Sequence, residues 1–553
     1  VSGAEKLFID VKRFDVSIED DDNVAFQVRS YGWSAAFRVS YACDFAELAI
    51  WDCRHKPRPE DEARVARLHY VRYTDYVDNF DLLWDYLSRE SIVGGSLQRL
   101  HPESERPRGA EPLDVAFAAK LSEWRVELAK SILRHGKTRD SEVISSAAQR
   151  ILDRIIFLRI CEEIGLEEYG ALNDMVNDSD GFWPLFMEAH ENRYREVYDG
   201  LLFPSREEDD PTPVERHLRE WWLKGRVFEH IVRGLYYPQP YRFDAMPLEL
   251  LGGIYERFLG KRLRVVGNDV IDEFKPEYQR TKGAVYTPPW VVHRVIRRTL
   301  LPFTRDADPE QILALRIVDP ACGSGSFILG VYDHLEAAIL DWAVAHQRHP
   351  RRSEFVIDDA GGLRLNVATS QKIIRQCLYG VDIDQNAVEV ARMSLALRHL
   401  ERTAGDLEDA PQRLLYGVGR NVRHGNSLVG PDITKLGLDQ EIVRAVMPFP
   451  WEAKLFGFGN VIEEGGFHAV VGNPPYIEVK RYKEWMPAMY EYLKRSGRYV
   501  TTDQGKTDVA MPFMELGVGL LRNDGRLGFI IQNRFFKTEY GAAEARMFHK
   551  HNA

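Results

Sequence analysis

The sequence predicts an α/β protein whose C-terminal half forms a largely parallel β-sheet covered by helices. From about Gly283, short apolar runs alternate with longer helical stretches, a pattern typical of parallel strands joined by crossover helices. Between about Asp114 and Pro276, apolar residues recur at three- and four-residue steps, which indicates a helical bundle. Up to about Arg54, β-prone runs surround one helical stretch, so a small α/β unit precedes the bundle.

Length and composition narrow the class of protein. The chain has 553 residues, more than one hydrophobic core usually supports, so we expect about three or four domains. The net charge of −11 gives no general attraction to nucleic acid, and any DNA contact must come from local surfaces. Five cysteines without a Cys-x-x-Cys pair argue against a zinc ribbon or a disulfide framework and suit a reducing cytoplasm. No apolar run approaches the roughly 18 residues of a membrane span, so no membrane partner is expected.

The first unit is predicted from three short patterns. Strands are expected at residues 7–11 and 48–51, with a helix at residues 25–36 between them. Polar sequences rich in Pro and Arg at residues 55–64 and 101–111 predict exposed loops.

One helix of the bundle has an especially clear apolar stripe. The stripe consists of Ile144, Ala148, Ile151, Ile155 and Leu158. Gly165 is placed to end this helix, and a further helix is expected at residues 248–259.

In the C-terminal half, the predicted elements alternate. The strands are expected at residues 316–319, 378–382, 467–471 and 527–532, and the helices at residues 326–345 and 387–400. The carboxyl ends of parallel strands meet at one edge of a sheet, and ligands of open α/β sheets bind there. Residues that directly follow these strands are therefore candidate site residues.

Two glycines follow the first of these strands. In the segment 319–325 (DPACGSG), Gly323 and Gly325 let the backbone approach a ligand closely and open the next helix. A tight turn without a ligand explains the pair equally well, and the dinucleotide pattern Gly-x-Gly-x-x-Gly fails at Ile328. Cys322 has no evident base partner and is interpreted as a small turn residue, not as a nucleophile.

The next strand ends carry an acid and an amide. Asp382 is placed to accept both hydroxyls of a ribose, although an acid there can also cap the following helix. Asp384, two residues further on, is the better candidate for that cap. Asn426, in the segment 425–427, can hydrogen-bond an adenine ring.

The strongest signal follows the strand at residues 467–471. In Asn473-Pro474-Pro475-Tyr476, two prolines fix φ and remove two donors, so the backbone carbonyls are rigidly presented. The exocyclic amine of adenine is a poor nucleophile that improves when acceptors hold both of its hydrogens, here the Asn473 side-chain oxygen and the Pro474 carbonyl. Tyr476 would stack on the base. The alternative is a proline turn that carries a surface tyrosine.

These motifs and their order resemble those of Eco57I-like N6-adenine DNA methyltransferases of the γ class. The resemblance implies a Rossmann-like, S-adenosylmethionine-dependent methyltransferase sheet whose catalytic motif runs from Asn473 through Pro474 and Pro475 to Tyr476. It also implies a set of residues that bind the methyl donor: Tyr286, Thr287, Asp319, Ala321, Gly323, Gly325, Asp382, Ile383 and Asn426. Many relatives carry Asp where Asn426 stands.

The resemblance further implies that double-stranded DNA is the partner and that the target adenine is flipped out of the duplex. Residues 532–536 resemble a later motif whose aromatic ring packs against that base, and either Phe535 or Phe536 fits. After the catalytic motif, basic and aromatic residues interleave, where they could grip DNA or form a solvated helix face. They are Lys480, Arg481, Tyr482, Lys483, Trp485, Tyr492, Lys494, Arg495, Arg498 and Tyr499.

A second motif lies near the start of the chain. Asp10 and Lys12 share one face of the first predicted strand, where an acid can bind Mg²⁺ and a lysine can orient water, although a surface strand is the commoner meaning of Asp-x-Lys. Gln27 and Tyr31 lie one helical turn apart on the next helix. Together they resemble the PD-(D/E)xK nuclease of type IIG restriction–modification enzymes, which implies nuclease roles for Asp10, Lys12 and Gln27, with Asp10 as the metal ligand. The first metal-binding acid of that family would precede Val1, so half a site is expected.

The preferred interpretation is a bifunctional restriction–modification enzyme of the prokaryotic cytoplasm, without an obligate protein partner. It predicts a partial nuclease domain at residues 1–60, a linker or extension at 61–113, a helical connector at 114–276, a methyltransferase domain at 277–553 and a target-recognition domain beyond residue 553. One alternative is a phage-defence methyltransferase with an inactive nuclease fold. Others are a protein-glutamine methyltransferase, which shares the Asn-Pro-Pro-Tyr motif, and a non-catalytic DNA-binding scaffold that senses the donor.

Overall fold

The chain divides into two units. The first comprises Val1–Lys137, Ile155–Phe186 and Trp222–Ile254, and the second comprises Thr138–Arg154, Met187–Trp221 and Tyr255–Ala553. The computed structural model describes residues 7–102, 111–136, 138–178, 181–198, 202–203, 214–223, 226–247, 254, 260–274, 287–346, 354–357, 362–403, 415, 417–503 and 508–532.

The first unit contains a four-stranded sheet. Its strands, in spatial order, are β1 (Ile9–Val11), β2 (Val39–Cys43), β3 (Glu47–Asp52) and β4 (Arg67–Arg72). β1 pairs with β2 in parallel, and the other two pairs are antiparallel. The sequences of β2 and β3 are mostly apolar, and both strands are buried almost throughout, as inner strands of a sheet must be.

The parallel β1–β2 pair is joined by the helix Asp22–Ser34. This helix begins three residues before the predicted start because Asp21 caps it, accepting the backbone N–H of Asn23 at 2.8 Å on Oδ1. The region predicted as a linker or extension is structured in part. It supplies β4 to the sheet and continues into three short helices, Phe80–Leu87, Arg89–Val93 and Ser96–Leu100.

Further helices make up much of the rest of the first unit. They are Leu113–His135, the C-terminal part of Ser141–Glu163, Ala171–Asn177, the N-terminal part of Phe182–Ala189, and Val227–Arg233. The predicted stripe on the helix Ser141–Glu163 is confirmed, since all five of its residues are at most 1% exposed. Gly165 ends the helix as expected, with a left-handed φ of +78°, and Leu166 donates its backbone N–H to the Cys161 carbonyl at 2.9 Å.

The second unit includes a β-hairpin in a region that was predicted to be helical. β5 (Lys261–Val266) pairs with β6 (Asp269–Phe274) in antiparallel fashion across a turn at Gly267 and Asn268. Gly267 adopts a left-handed φ of +61°, which glycine permits at little cost. The Gly-Asn pair between two alternating runs is a hairpin signal, and it overrode the helical interpretation here. Of the helix predicted at residues 248–259, only residue 254 is described.

The main sheet of the second unit has five strands, all parallel. After β7 (Ile317–Asp319) comes a separate antiparallel pair, β8 (Phe355–Ile357) and β9 (Leu363–Leu365); the sheet then continues with β10 (Leu378–Asp382), β11 (Val422–His424), β12 (Phe467–Gly472) and β13 (Leu521–Phe529). The spatial order is β11-β10-β7-β12-β13. This sheet confirms the predicted α/β class. β13 begins six residues before the predicted strand, directly after a helix.

Helices surround these strands in sequence, as parallel pairing requires. In the second unit they are Arg195–Tyr198, Val214–Glu220, Pro289–Thr304, Pro309–Leu313, Ser326–Ala345, Val367–Lys372, Gln385–Thr403, Gln440–Val446, Gly459–Glu463, Tyr482–Trp485, Pro487–Arg495 and Ala510–Leu520. Within the described ranges, no helix combines the length and the apolar character needed to cross a membrane.

The strand order defines a switch point beside β7. From β7 the chain adds β10 and β11 on one side and then β12 and β13 on the other. In open α/β sheets, a crevice for ligands forms outside the carboxyl ends of the strands where the order reverses in this way. The crevice is therefore expected between the ends of β7 and β12, at Asp319 and Gly472.

A buried carboxylate links helices within the second unit. Glu215 is 6% exposed, and its Oε1 accepts hydrogen bonds from Arg154 and, at 3.1 Å, from Arg150. Arg150 also donates to Glu389 at 2.5 Å. Burial opposes ionisation of Glu215, but the positive charges of Arg154 and Arg150 outweigh it and lower the pKa of Glu215 to about 2.

We predict that Glu215→Gln lowers the free energy of unfolding at neutral pH by roughly 3–5 kcal/mol, because the buried Arg154 and Arg150 guanidinium groups lose the negative charge that they share, and Arg150 keeps only Glu389. The lowered pKa makes this stabilisation present above the ordinary pKa of 4.5 and lost as the pH falls towards 2. Urea unfolding of both proteins across this range should show a gap that narrows on acidification. Glu441→Gln, at an exposed position of the helix Gln440–Val446 in the same unit, is the control and should leave the midpoint unchanged. A Glu215→Gln gap of constant size at all pH values would contradict the prediction.

Candidate active site

The turn after β7 is held against the end of β10. Cys322 donates its backbone N–H to the Val381 carbonyl at 3.1 Å, and Gly323 donates its own to Asp382 Oδ2 at 2.9 Å. The predicted glycine turn and the predicted ribose acid are therefore in direct contact. Ala321, also predicted here, donates its N–H to Asp319 Oδ1 at 2.9 Å.

Asp384, and not Asp382, caps the following helix, as the sequence favoured. Asp382 Oδ1 accepts the backbone N–H of Asp384 at 2.9 Å, which fixes the carboxylate at the strand end. Asp384 accepts the N–H of Asn386 at 3.0 Å, in the first turn of the helix Gln385–Thr403, and so acts as the cap. Ile383, between the two acids, is partly exposed, and its carbonyl contacts a ring nitrogen of His424 at 3.0 Å.

Two glycines allow close approaches around this edge. At Gly472, where φ is +155°, a β-carbon would lie 2.6 Å from Asp319 Oδ1. At Gly325, where φ is +92°, a β-carbon would lie 3.0 Å from that of Ala391. Real β-carbons do not tolerate the first of these distances, so a glycine at residue 472 is what leaves room for the Asp319 carboxylate beside the end of β12.

Cys322 faces the interior of this turn. It is 5% exposed, and burial, with smaller contributions from Asp382 and Asp319, raises the pKa of its thiol well above the usual value. A buried thiol with a raised pKa is inert. The position of Cys322 agrees with a small turn residue.

Asn426 follows β11 and is 3% exposed. Its Oδ1 accepts the backbone N–H of Leu428 at 3.2 Å, and its Nδ2 contacts Met489 Sδ at 3.4 Å. The next residue, Ser427, donates its hydroxyl to the Pro320 carbonyl at 2.6 Å. The segment 425–427 is thereby held against the glycine turn that follows β7.

The Asn-Pro-Pro-Tyr motif lies directly after β12. The half-buried Asn473 donates from Nδ2 to Thr287 Oγ1 at 3.0 Å, and its Oδ1 lies 2.6 Å from the Tyr476 hydroxyl oxygen. That hydroxyl oxygen also lies 2.8 Å from the Ile530 carbonyl oxygen, just beyond β13. Burial first, and Asp508 second, raise the pKa of Tyr476 to about 12, so it remains a protonated donor at neutral pH.

Thr287 was predicted to bind the methyl donor. In the structure, its hydroxyl contacts the Asn-Pro-Pro-Tyr motif. Ile530 was not singled out by the sequence because a backbone carbonyl carries no residue signature. The strand predicted at residues 527–532 was the available signal, since it placed residue 530 at the same sheet edge. Tyr286, Phe535 and Phe536 lie outside the described residues.

Three tyrosines of the basic and aromatic segment after the motif are packed into the protein. Tyr482, Tyr492 and Tyr499 are at most 8% exposed and belong to the hydrophobic core. Lys480 is exposed but pairs with Glu478 at 2.9 Å. This burial favours the interpretation of a packed helical segment with a solvated face over a stacking surface for bases.

The predicted nuclease residues converge at the edge of the first sheet. Lys12 Nζ lies 2.8 Å from Asp10 Oδ2 and donates to Gln27 Oε1 at 2.9 Å. Asp10 lies in β1, Lys12 directly after it, and Gln27 on the helix that joins β1 to β2. One carboxylate beside one ammonium group suits Mg²⁺ only if DNA phosphates or a further acid complete the site.

Tyr31 faces the same side of β1, one helical turn from Gln27. Its ring stacks on Phe8, with centroids 4.5 Å apart, and the Arg242 guanidinium lies 4.1 Å from its centroid. Its hydroxyl bonds Asp244 at 3.1 Å and also contacts Arg242. Burial first, and Asp244 second, raise the pKa of Tyr31 to about 12.

The sequence did not single out one other group of possible metal ligands. Among the described residues, Glu123, Glu127 and His230 form the only cluster of three whose ligand atoms lie close enough together. Lys120 pairs with Glu123 at 2.9 Å, and Glu127 lies 2.8 Å from His230 Nδ1, so the cluster is already neutralised in part.

Known proteins resemble this chain over most of its length. The type II restriction enzyme and methyltransferase RM.Eco57I of Escherichia coli is 28% identical over 97% of this chain and 50% of its own length. The adenine-specific methyltransferase PglX of Streptomyces coelicolor is 25% identical over 82% of this chain and 37% of its own length. The chain thus spans about half or less of these curated relatives. Among solved structures, the type IIL restriction–modification enzyme MmeI in complex with DNA is similar, with 13% identity, a TM-score of 0.43, and coverage of 74% of this chain and 50% of that one.

Family models match the part of the chain that carries the site. Residues 310–404 match an RMKL-like methyltransferase domain, and residues 376–552 match the Eco57I restriction-modification methylase. The second match includes Asp382, Asn426 and the Asn-Pro-Pro-Tyr motif. This part of the chain is therefore similar to the methyltransferase domain of Eco57I-like restriction–modification enzymes.

Proposed function

We propose that this chain transfers a methyl group from S-adenosylmethionine to the N6 amine of adenine in double-stranded DNA. The observation that carries the proposal is the position of Asn473 and Pro474 at the end of β12, beside the glycine turn that follows β7. Two oxygens presented there by a rigid motif suit an amine that must be both held and aimed. The similarity to a curated adenine-specific methyltransferase supports the choice of adenine.

Asn473 and Pro474 act on the amine in this proposal. Conjugation with the adenine ring draws the N6 lone pair away from nitrogen. When Asn473 Oδ1 and the Pro474 carbonyl accept the two N6 hydrogens, electron density returns to nitrogen and its lone pair points out of the ring plane. Tyr476 stacks on the extruded base, and the proton that N6 must lose leaves to solvent.

The residues at the β7–β10 edge fit the methyl donor. Gly323 and Gly325 both have positive φ, at +52° and +92°, which leaves the turn backbone open to a ligand. Asp382, held 2.9 Å from the Gly323 nitrogen, stands where a ribose would follow the turn. When bound, S-adenosylmethionine supplies a methyl carbon whose bond to sulfur breaks as its bond to N6 forms. Asn426 is the proposed contact to its adenine ring.

A protein-glutamine methyltransferase would use the same pair of oxygens on an amide nitrogen. The similarity of nearly the whole chain to a restriction enzyme and methyltransferase favours DNA as the substrate. The two substrates are separated by following the label, as described next.

We predict that Asn473→Ala lowers the rate of adenine methylation by about 100-fold or more, because the loss of one preorganised polar contact to the reacting group has effects of this size. The assay uses tritiated S-adenosylmethionine and long double-stranded DNA, followed by mapping of the modified bases. Asn460→Ala, at an exposed position of the helix Gly459–Glu463 in the same unit, is the matched control and should retain full activity. Undiminished adenine methylation by Asn473→Ala would refute the proposal, and label on peptide instead of DNA would favour the glutamine reaction.

We predict that Gly472→Ala weakens binding of S-adenosylmethionine by about 10-fold or more, because the new methyl group would push the end of β12 away from Asp319. Calorimetric titration of the donor measures this directly. Gly519→Ala is the control, since no atom lies within 4 Å of the position that its β-carbon would take. Equal donor affinity of Gly472→Ala and the unaltered protein would show that the contact of β7 with β12 does not shape the donor site.

We propose a second activity, DNA cleavage, for the first unit. The observation that favours it is the convergence of Asp10, Lys12 and Gln27, which are brought together by a strand and the helix that follows it. Lys12 is placed to orient a water molecule or to neutralise a phosphate, and Gln27 holds the Lys12 ammonium in position. The alternative of an inactive nuclease fold keeps the same sheet without cleavage.

We predict that Asp10→Asn abolishes Mg²⁺-dependent DNA cleavage while adenine methylation remains at its original rate. The amide keeps the shape of the side chain but removes the negative charge that a divalent cation requires. Cleavage is measured on long DNA by gel electrophoresis, and methylation is measured in parallel. Asp15→Asn, at an exposed position nearby, should change neither activity. Cleavage that is equal in Asp10→Asn and the unaltered protein would support the inactive nuclease fold.

A further inference from the structure

The amide of Asn473 is held between two hydroxyl groups from distant parts of the chain. Thr287 contributes one from the segment before the helix Pro289–Thr304, and Tyr476 contributes the other. Thr287 is 7% exposed, so its hydroxyl oxygen lies in a protected position where an unmet hydrogen bond is costly. The amide can occupy this space in two orientations that differ by exchange of Oδ1 and Nδ2.

The proton of Tyr476 has two acceptors within reach. The hydroxyl oxygen lies 2.6 Å from Asn473 Oδ1 and 2.8 Å from the Ile530 carbonyl oxygen, and a hydroxyl group has a single hydrogen. When the Tyr476 hydroxyl donates its hydrogen bond to the Ile530 carbonyl, the hydroxyl oxygen can act as an acceptor on its other side. In that state Tyr476 can accept a hydrogen bond from Asn473 Nδ2, which favours the reversed amide.

We propose that Thr287 is a positioning residue for methyl transfer. Its hydroxyl accepts a hydrogen bond from Asn473 Nδ2, which keeps Asn473 Oδ1 turned towards the substrate amine. The Tyr476 hydroxyl oxygen is the acceptor that competes for Nδ2. The inference rests on the proposed methyl transfer to an amine. With the substrate present, Oδ1 accepts an N6 hydrogen, and Nδ2 then needs an acceptor on its other side. Thr287 Oγ1, at 3.0 Å, is that acceptor.

Removing the Thr287 hydroxyl changes the balance between the two orientations. Nδ2 would then be unsatisfied when Oδ1 faces the amine. The reversed amide would keep the Nδ2 bond to Tyr476 and lose only the bond that the Thr287 hydroxyl can donate to Oδ1, and an unmet carbonyl oxygen is tolerated better than an unmet N–H group. In the reversed orientation, the N–H groups of Asn473 Nδ2 face the N–H groups of the substrate amine, and no hydrogen bond forms between them. Asn473 then no longer holds the amine. Thr287 therefore acts on the reaction through Asn473.

The experiment compares Thr287→Val with Thr287→Ser and measures donor affinity and methylation separately. We expect Thr287→Val to lower kcat/KM for DNA by about 10-fold, the scale of one unsatisfied buried polar group, and Thr287→Ser to restore most of it. The affinity for S-adenosylmethionine, measured by calorimetry, should remain unchanged. Thr304→Val, which removes a buried hydroxyl at the end of the helix that follows Thr287, is the control and should leave both quantities unchanged.

A double substitution tests the competing acceptor. In Tyr476→Phe protein the reversed amide also lacks an acceptor for Nδ2, so Thr287→Val should cost clearly less than 10-fold in that background. An equal cost in both backgrounds, or a cost that appears as weaker donor binding with the rate at saturating donor unchanged, would overturn the inference. If the unaltered protein labels no adenine, the proposed function fails, whereas a loss of donor affinity in Thr287→Val would still overturn the inference about Thr287.

Discussion

The close approach of β7 to β12 is the constraint on which the site depends. The two strands pair in parallel, and the chain continues away from β7 on both sides of the sheet, so their ends border the crevice at the switch point. Gly472 lets this approach continue to the last residue of each strand, next to the Asp319 carboxylate. β13 then supports β12 from the other side, because Ile530 donates its backbone N–H to the Gly472 carbonyl at 3.0 Å. The glycine turn and the Asn-Pro-Pro-Tyr motif, which are about 150 residues apart in the sequence, thereby come to lie side by side.

The polar side chains at this edge are already engaged with one another. Asp382 accepts two backbone N–H groups, Asn426 accepts one, and Asn473 lies between two hydroxyls. Such contacts fix rotamers before any ligand arrives, which lowers the entropic cost of binding. They also set a condition on the ligand, since each contact that it displaces must be replaced by one of similar strength. Asn473 meets this condition most readily, because the Tyr476 proton has the Ile530 carbonyl as a second acceptor.

With the exception of the hairpin β5–β6, features that depend on neighbouring residues were predicted from the sequence, whereas features that depend on contacts between distant residues were not. The ends of β7, β10 and β12 were predictable because each is a short buried run followed by a turn motif, and both signals are local. The hairpin β5–β6 was misjudged because a region-wide helical period was given more weight than its Gly-Asn turn. β4 was placed in a linker because its sequence, RLHYVR, becomes a strand only through pairing with β3. The bond of Thr287 to Asn473 spans 186 residues and the contact of Arg242 with Tyr31 spans 211, and neither side chain carries a local sign of its partner.

Charge distinguishes the two proposed activities. At Asp10, the carboxylate and the Lys12 ammonium group lie 2.8 Å apart, so their charges sum to zero. A divalent cation gains little from a neutral pair and binds well only when another acid or the phosphates of DNA add negative charge. Cleavage would then require DNA in place before the metal site is complete. The proposed methyl-transfer site has no such requirement, because the two acceptors for the amine, Asn473 Oδ1 and the Pro474 carbonyl, are neutral oxygens. The two proposed activities can therefore respond differently to the same DNA. DNA binding completes the proposed metal site at Asp10, whereas at the proposed methyl-transfer site DNA only supplies the substrate base.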